Sequence, residues 1–337
     1  MIGYYVHHVG RGHLHRATAI AQALGEPVTG FSSLPEPPDW PGPWIQLERD
    51  DADEGAGDLA STDRTAGDRL HWVPLGHHGL RSRMAEIAAW IRHVAPRVFV
   101  VDVSVEVAVL VRLHGIPVVT VAGPGHRDDQ AHQLGYDVSD TILACWPAGA
   151  AGLLTGVRPG VLERLVPVGG LSRFPVVERG ERRPGPPRVV LMSGAGGRDL
   201  DAHRLELAQK ETPDWEWTVL DAELGTWVED PSGLLADADV AITHAGQNAV
   251  AEIAASRVPA VVVPQERPHR EQRTTGAVLS RGPWPAVVLD DFPAHGWSEV
   301  LEQARGLDGA AWALWCDGDA AHRAADVVRT VGAGGQP

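Results

Sequence analysis

The stretch from residue 240 to 272 constrains the fold more than any other part of the chain. A short apolar strand ends at Ile242, a turn follows at Gly246, helix formers come next, and a second apolar strand is closed by Pro264. Strand, glycine turn, helix and buried strand form a βαβ unit, whose right-handed crossover places the turn at the carboxyl edge of a parallel sheet. Open α/β sheets bind their ligands at that edge, so the stretch predicts a ligand site.

The polar residues of this turn indicate which ligand the site takes. His244, Gln247 and Asn248 stand with Gly246 at the start of the predicted helix, where free backbone N–H groups and the helix dipole attract phosphate. Glu252 follows Asn248 by four residues, on the same helix face and about 6 Å further along. A carboxylate beside a diphosphate needs neutral hydrogen-bond donors, and ribose hydroxyls supply them. The pattern therefore predicts a nucleoside diphosphate site.

The same residues carry a resemblance to a known family. The pattern His-x-Gly-x-Asn-x-x-x-Glu, then Val-Pro-x-x-x-Pro and an acidic residue before Gln, resembles the donor-binding segment of GT-B glycosyltransferases. That group includes the bacterial N-acetylglucosaminyltransferases of lipid II synthesis and the UDP-dependent transferases of natural products. The resemblance implies that His244 and Asn248 contact the diphosphate, Glu252 the ribose, and Glu271 with Gln272 the sugar hydroxyls. An ordinary βαβ unit with a polar loop is the alternative.

Two positions depart from the pattern of that group. Arg257 stands where its members often have a glycine that ends the helix, and Gly276 stands where an asparagine is common. These two departures weaken the detailed assignments within the predicted donor site, and the prediction of a donor site remains.

The start of the chain repeats the order of strand, glycine turn and helix. Residues 2–6 form an apolar strand, Gly-Arg-Gly-His follows at 10–13, and residues 17–24 carry apolar side chains at helical spacing. This order predicts an α/β domain with a phosphate or sugar site at the turn. The dinucleotide fingerprint is incomplete, because His15 stands where its third glycine belongs. The pattern therefore argues against a dehydrogenase.

His13 is the candidate for chemistry in this turn. At a helix N-terminus the dipole disfavours the imidazolium form, so a neutral imidazole able to accept a proton is expected. The Gly-x-Gly-His turn resembles that of GT-B transferases, which implies that His13 is the catalytic base and that Gly12 borders the donor. Asp102 ends the apolar strand 98–101 at the same sheet edge, and the resemblance implies a His–Asp dyad. The alternatives are a His13 that caps the loop and an Asp102 that caps the next helix.

A second strand, glycine loop and helix begin at Arg188. The loop after this strand holds Ser193, Gly194, Gly196 and Gly197, and the glycines allow backbone N–H groups to approach a diphosphate closely. The repeated plan predicts two similar doubly wound domains that face each other across a cleft.

Trp227 and Val228 occupy the place at which GT-B enzymes hold the nucleotide base. The resemblance implies backbone contacts at Val228 and packing near Trp227. A tryptophan of the core is an equally good interpretation of Trp227, because the chain has 12 tryptophans.

Composition limits the class of protein. A chain of 337 residues fits two domains of about 150 residues each. The net charge of −15 argues against nucleic acid or an anionic membrane as the main partner. Cys145 and Cys316 are too few for a disulfide framework, and no apolar run spans a bilayer, so a cytoplasmic protein is predicted. Cys and His residues lack metal-ligand spacing, so no metal is expected.

The predicted domains are an acceptor-side domain at 1–165, a linker at 166–187, a nucleotide-sugar domain at 188–319, and a final segment at 320–337 whose helix crosses back to the first domain. The acidic loop at 48–58 is predicted to be mobile and to border the acceptor site. Four more polar residues are acceptor-pocket candidates: Glu106, His126, Arg127 and Asp128.

These expectations combine into one function. The predicted fold class is α/β, with two Rossmann-like domains in the GT-B arrangement. The predicted reaction is inverting transfer of a sugar from a nucleoside diphosphate sugar to a small-molecule or cell-envelope acceptor, without a cofactor or metal. UDP is the nucleotide that the family uses most, and dTDP and GDP remain open. The alternatives are a nucleotide-sugar hydrolase or epimerase of this fold, and a non-catalytic nucleotide-sugar-binding protein; the oligomeric state is left open.

Overall fold

The computed structural model describes residues 1–51, 63–180, 184–193, 201–222, 224 and 226–337. Within these residues, the first 167 positions contain nine strands. They are β1 (Ile2–Val6), β2 (Val28–Ser32), β3 (Trp44–Gln46), β4 (Val98–Asp102), β5 (Val118–Ala122), β6 (Gly125–His126), β7 (Thr141–Ala144), β8 (Leu154–Thr155) and β9 (Leu165–Pro167). Seven of them form one parallel sheet in the order β3-β2-β1-β4-β5-β7-β9, and β6 pairs with β8.

The helices of this half connect the strands by crossovers. They are α1 (Arg11–Leu24), α2 (His78–Val94), α3 (Val105–Leu113), α4 (Gln130–Asp137) and α5 (Pro159–Leu162). Every residue of β1, β4 and β5 is buried, as expected for parallel strands whose two faces are covered. This burial explains why these strands are continuous apolar runs in the sequence.

The second half repeats the plan with a smaller parallel sheet. Its strands are β10 (Arg188–Met192), β11 (Glu216–Leu220), β12 (Val240–Thr243), β13 (Ala260–Val262) and β14 (Ala286–Val288). Its helices are α6 (Ala202–Glu211), α7 (Ser232–Asp237), α8 (Gln247–Ala255), α9 (Glu271–Leu279) and α10 (Trp297–Arg305). Among the described residues the strand order is β11-β10-β12-β13-β14.

Each sheet reverses its strand order at one point, between β1 and β4 in the first and between β10 and β12 in the second. Ligands of open α/β sheets bind outside the strand ends at such a point. The register pairs Val6 with Asp102 and Met192 with Thr243. Val6 is therefore level with Asp102, and Met192 with Thr243, each pair at the carboxyl edge of its own sheet.

The last helix, α11 (Ala320–Gly332), packs on the first half of the chain. Ala324, Val328 and Val331 are buried in the core that contains Ile2 and Ile20. The guanidinium of Arg329 also donates to the backbone oxygens of Ala23 and Leu24, at 2.7 and 3.0 Å. The chain thus returns from the second sheet to cover α1.

One expectation about the segment after Ser32 was wrong. The sequence from Ser32 to Arg69 showed no strand or helix pattern before the histidines that follow it, but this segment contains β3, which pairs with β2 through Gly30 and Trp44. This strand is three residues long and only partly buried, too short for an alternating pattern to be recognised. Residues of the predicted acidic loop beyond Asp51 lie outside the described part of the chain.

Arg257 follows α8 with a backbone φ of 56°. This is the left-handed conformation that glycine adopts most readily at a helix end. The position therefore keeps the glycine-type conformation, and the Arg257 guanidinium donates to the backbone oxygen of Cys316 at 2.7 Å.

Among the described residues, no helix is both long enough and apolar enough to cross a lipid bilayer.

Candidate active site

A cavity of about 1120 Å³ opens between the carboxyl edges of the two sheets. Most of the predicted site residues line it: Gly12, His13, Ser193, Trp227, His244, Gly246, Gln247, Asn248, Glu252, Glu271 and Gln272. Asp102 lies behind His13 and is fully buried, and Val228 packs against a core cluster to which both halves of the chain contribute. Gly194, Gly196 and Gly197 lie outside the described residues.

His13 and Asp102 form a hydrogen-bonded pair. His13 stands on the first turn of α1, which begins at Arg11, six residues before the predicted apolar stretch. Its Nδ1 lies 2.9 Å from Oδ1 of Asp102, the last residue of β4. If Nδ1–H donates to the carboxylate, Nε2 is left as a proton acceptor. In that tautomer Nε2 is the ring nitrogen that would act as the predicted base, and Nη2 of Arg16 lies 2.9 Å from the same Nδ1.

Asp102 does not cap the following helix. Ser104 caps α3, since its Oγ accepts from the backbone N of Val107 at 3.3 Å. Between them Val103 has a φ of 64°, an uncommon conformation for a β-branched residue. Strained backbone of this kind is frequent at functional sites.

Arg16 is a site residue that the sequence interpretation missed. Its Nη2 donates to Oδ1 of Asp102 at 2.6 Å and its Nε to Oδ2 at 3.2 Å. Burial raises the pKa of Asp102, but Arg16 and His13 outweigh that effect and hold it well below its usual range. Asp102 therefore stays ionised. Arg16 follows His13 by three residues on one helix face, a spacing that could have indicated it.

The N-termini of α1 and α8 meet across the cleft. Nη1 of Arg16 donates to Oε1 of Gln247 at 3.1 Å, and Nε2 of Gln247 donates to the backbone oxygen of Cys145 at 3.2 Å. A Cβ atom on Gly12 would lie 1.7 Å from Nδ2 of Asn248. Gln247, predicted to bind the donor, thus also joins the two halves of the chain.

His244 is a neutral hydrogen-bond donor. Its Nδ1 accepts from the backbone N of Gly246 at 2.9 Å, so Nε2 carries the proton. Burial, with a further contribution from Arg267, lowers the pKa of His244 to about 4. Within the described residues no side chain caps α8, whose N-cap is Gly246. The free N–H groups of that turn and the His244 ring can therefore bind phosphate oxygens.

Glu252 is paired with a residue that the sequence interpretation gave no role. Nε of Arg173 donates to Oε1 of Glu252 at 2.8 Å, and the Arg173 guanidinium also reaches the backbone oxygen of Glu229 at 3.0 Å. Burial raises the pKa of Glu252, and Arg173 acts in the opposite direction. The ion pair with Arg173 therefore holds the Glu252 carboxylate at the wall of the cavity.

Ser193 and Trp227 border the cavity from the second sheet. The hydroxyl of Ser193 donates to the carboxylate of Asp221. Trp227 is 42% exposed, which rules out its interpretation as a core tryptophan. Its indole is available to pack against a ligand.

Glu271 and Gln272 begin α9 at the rim of the cavity. Oε1 of Gln272 accepts from the backbone N of Gln265 at 2.9 Å, and Gln272 is buried. Gln272 therefore fixes the loop before α9, while Glu271 is only half-buried.

The acceptor-side wall contains a cluster of histidines with one aspartate. His71 Nε2 lies 3.2 Å from Asp129 Oδ1 and 3.1 Å from His132 Nδ1, and His132 Nδ1 lies 2.6 Å from Asp129 Oδ2. Burial first, then Arg127, lowers the pKa of His132 to about 3. Of the predicted acceptor candidates, Glu106 and Arg127 line the cavity. Because 58 positions separate His71 from Asp129, sequence spacing could not show this cluster.

Comparison with known proteins relates part of the sequence to sugar transferases. The glycosyltransferase family 28 C-terminal domain matches residues 194–278. A UDP-N-acetylglucosamine–N-acetylmuramyl-(pentapeptide) pyrophosphoryl-undecaprenol N-acetylglucosamine transferase of Cupriavidus necator is 29% identical over 120 residues, which are 35% of this chain and 32% of that protein. The enzyme of the same name from Acidovorax sp. strain JS42 is 35% identical over 92 residues, 26% and 23% of the two chains. The similarity thus spans about a third or less of these relatives.

Solved structures match along the whole chain. The glycotransferase of kitacinnamycin has a TM-score of 0.63 at 17% identity, covering 98% of both chains. MurG of Acinetobacter baumannii has a TM-score of 0.59 at 15% identity, covering 97% of this chain and 98% of its own. The predicted α/β class is confirmed: the chain has the GT-B fold, with two Rossmann-like domains around a shared cleft, and its residues 194–278 match the glycosyltransferase family 28 C-terminal domain.

Proposed function

We propose that this chain is an inverting glycosyltransferase that moves a sugar from a nucleoside diphosphate sugar to an acceptor. One observation carries the proposal: the His13–Asp102 pair and the His244 turn of α8 face the same cavity from opposite sheets. A base on one side and an anion-binding helix start on the other fit a reaction in which a nucleophile is deprotonated while a diphosphate departs.

The donor is assigned to the second sheet. His244 and Asn248 bind the diphosphate with the N–H groups of α8, Glu252 binds the ribose, and Trp227 packs on the base. Glu271 contacts the sugar. The family 28 match over residues 194–278 covers this segment and supports the assignment. UDP is the nucleotide in the names of the matched relatives, and dTDP and GDP are the other candidates.

The chemistry is assigned to the first domain. Nε2 of His13 removes a proton from the acceptor nucleophile as that atom attacks the anomeric carbon. The bond from the anomeric carbon to the diphosphate oxygen breaks, and the negative charge moves onto the diphosphate. Asp102 stabilises the imidazolium that forms, and His244 with the α8 N-terminus stabilises the leaving group. These steps invert the anomeric configuration and are proposed to need no metal at the diphosphate.

The size of the cavity favours transfer over hydrolysis. About 1120 Å³ exceeds the roughly 300–1,000 Å³ of a typical single-ligand pocket, which leaves room for an acceptor beside the donor. The names of the similar proteins include pyrophosphoryl-undecaprenol and kitacinnamycin. The proposed acceptor is therefore a cell-envelope or small-molecule compound, and the proposed site of the reaction is the cytoplasm.

The test measures nucleotide release with and without acceptors. Wild type and His13→Ala are incubated with UDP-sugars, dTDP-sugars or GDP-sugars and a set of hydroxylated and amine-bearing acceptors. The proposal expects acceptor-dependent release by the wild type only, with inverted configuration in the product by NMR. Equal release without any acceptor would favour the hydrolase, and tight donor binding with no turnover of any acceptor would favour a binding protein.

A further inference from the structure

The cluster on the acceptor-side wall has the geometry of a metal site. We infer that His71, Asp129 and His132 bind a divalent transition metal, with Zn²⁺ the best match, and that His269 completes the set from the other domain. This inference does not rest on the proposed reaction, because it is argued from the ligand atoms alone and its test needs no sugar substrate.

The two imidazole nitrogens and the two carboxylate oxygens of Asp129 lie at separations close to those between ligands of a tetrahedral Zn²⁺. Ligands at about 2.0–2.1 Å from Zn²⁺ in tetrahedral geometry lie about 3.3 Å from one another. Nε2 of His71 lies 3.1 Å from Nδ1 of His132 and 3.2 Å from Oδ1 of Asp129. Nδ1 of His132 lies 2.6 Å from Oδ2 of Asp129, and this one edge must open slightly. Imidazole and carboxylate ligands are a set that Zn²⁺ prefers.

Contacts independent of any metal hold the three residues in place. Asp129 caps α4, since its Oδ1 accepts from the backbone N of His132 at 2.9 Å. Oε1 of Glu106 accepts from the backbone N of His71 at 2.8 Å and of Trp72 at 3.0 Å. A ligand set fixed by its surroundings binds a metal with less reorganisation.

His269 reaches the cluster from the loop before α9. Its Nδ1 lies 3.7 Å from Oδ2 of Asp129, and its ring centre lies 4.7 Å from that of His132. His269 and Arg270 have φ angles of 56° and 55°, two successive left-handed residues that are not glycine. Backbone of this kind is costly and is found where it positions functional side chains. A metal held by all four residues joins the two domains at the acceptor end of the cleft.

The guanidinium of Arg127 weakens the binding of a metal by this cluster. Nη1 of Arg127 lies 3.2 Å from Nε2 of His132, and Nη2 donates to the backbone oxygen of Pro124 at 2.7 Å. When a metal binds Nδ1 of a neutral imidazole, Nε2 carries the proton. Arg127 must then turn away from Nε2, so its removal is expected to strengthen metal binding.

The second grouping of this kind, His8 with Asp50 and Asp51, is a weaker candidate. Asp50 is paired with the buried Arg83, and Asp51 accepts from Arg49 at 2.6 Å. Arginine neutralises both carboxylates there. His8→Ala therefore serves as a control.

The test is calorimetric titration of the full, chelator-treated protein with Zn²⁺, with the absorption spectrum of bound Co²⁺ as a report on coordination. The wild type should bind one equivalent, with the strong visible absorption of four-coordinate Co²⁺. His71→Ala and Asp129→Asn should weaken binding at least tenfold, His269→Ala should weaken it less, and Arg127→Gln should tighten it. His8→Ala and His295→Ala should bind like the wild type.

The inference is overturned if the wild type shows no saturable binding, or if His71→Ala and Asp129→Asn bind as the wild type does. It is also overturned if binding is lost in His8→Ala instead. Circular dichroism of each variant in chelator must match that of the wild type, and a variant that fails this check is replaced by His71→Gln or Asp129→Ser. These outcomes use no sugar substrate, so they are independent of the proposed transfer reaction.

Discussion

Arg16 and Gln247 are hydrogen-bonded across the cleft, from Nη1 to Oε1 at 3.1 Å. The same guanidinium donates to both carboxylate oxygens of Asp102. One buried side chain therefore connects the aspartate behind the proposed base to the first residue of α8. We infer that closing the cleft and orienting His13 depend on each other through Arg16.

Arg16→Gln tests that connection. Without Arg16 the Asp102 carboxylate loses its paired donors and the link to Gln247, so kcat should fall. Arg16→Lys, which keeps the charge but not the paired donors, should restore kcat only in part. Exposed Arg92 provides the control, Arg92→Gln. A kcat of Arg16→Gln equal to that of the wild type would limit Arg16 to a packing role.

Asp102→Asn tests the tautomer. An amide at this position can donate to Nδ1 of His13, and Nε2 would then carry the proton and lose its function as a base. We expect kcat to fall by about 10²–10⁴-fold, with the donor dissociation constant nearly unchanged. Single-turnover kinetics and donor titration measure the two quantities separately. A loss of donor affinity as large as the loss of kcat would place Asp102 in the donor site instead.

Gly12→Ala tests the close approach of the two helix starts. The added methyl would meet Nδ2 of Asn248 at 1.7 Å and Cγ at 3.0 Å, so the Asn248 side chain must leave its position. A loss of about 1–3 kcal/mol of folding stability is usual for such overpacking, and donor binding should weaken because Asn248 is displaced from the proposed diphosphate site. Gly160→Ala adds its methyl where no atom lies within 4 Å, and it should bind the donor normally. Equal donor affinity of the two variants would contradict the closed arrangement.

His244 makes folding stability depend on pH in a stated direction. Its pKa falls from 6.5 to about 4 on folding, so between these values the unfolded chain binds a proton that the native chain does not. The free energy of unfolding therefore decreases as pH falls from 6.5 to about 4, by at most about 1.4 kcal/mol per pH unit for this group. Urea unfolding of His244→Asn at several pH values should show a smaller slope than the wild type. Exposed His295→Asn should retain the wild-type slope, and an unchanged slope in His244→Asn would exclude burial of a neutral His244.

The sequence predicted what depends on local pattern. Buried strands, glycine turns and the rule that parallel strands share a carboxyl edge were enough to bring His13, Asp102 and His244 to one cleft. The pair of Glu252 and Arg173 could not be predicted, because 79 positions separate the two residues and Arg173 lies in an irregular segment.

Contacts between side chains of different helices, strands and loops could not be predicted from the sequence either. Arg16 reaches Asp102 only because the register places Val6 beside that residue. The cluster of His71 and Asp129 depends on a loop and a helix cap that no periodicity reveals. The donor roles of Glu252 and Glu271 remain predictions from family resemblance.

The most direct measurement is the shift in melting temperature caused by UDP-sugars, dTDP-sugars and GDP-sugars in the wild type, His13→Ala, Glu252→Ala and the exposed control Glu206→Ala. At about 100 times its dissociation constant, a ligand adds roughly 2.7 kcal/mol of stability. The account predicts stabilisation by one nucleotide sugar in the wild type, His13→Ala and Glu206→Ala, and its loss in Glu252→Ala. If no nucleotide sugar stabilises the wild type, the donor site and the transfer reaction are both contradicted.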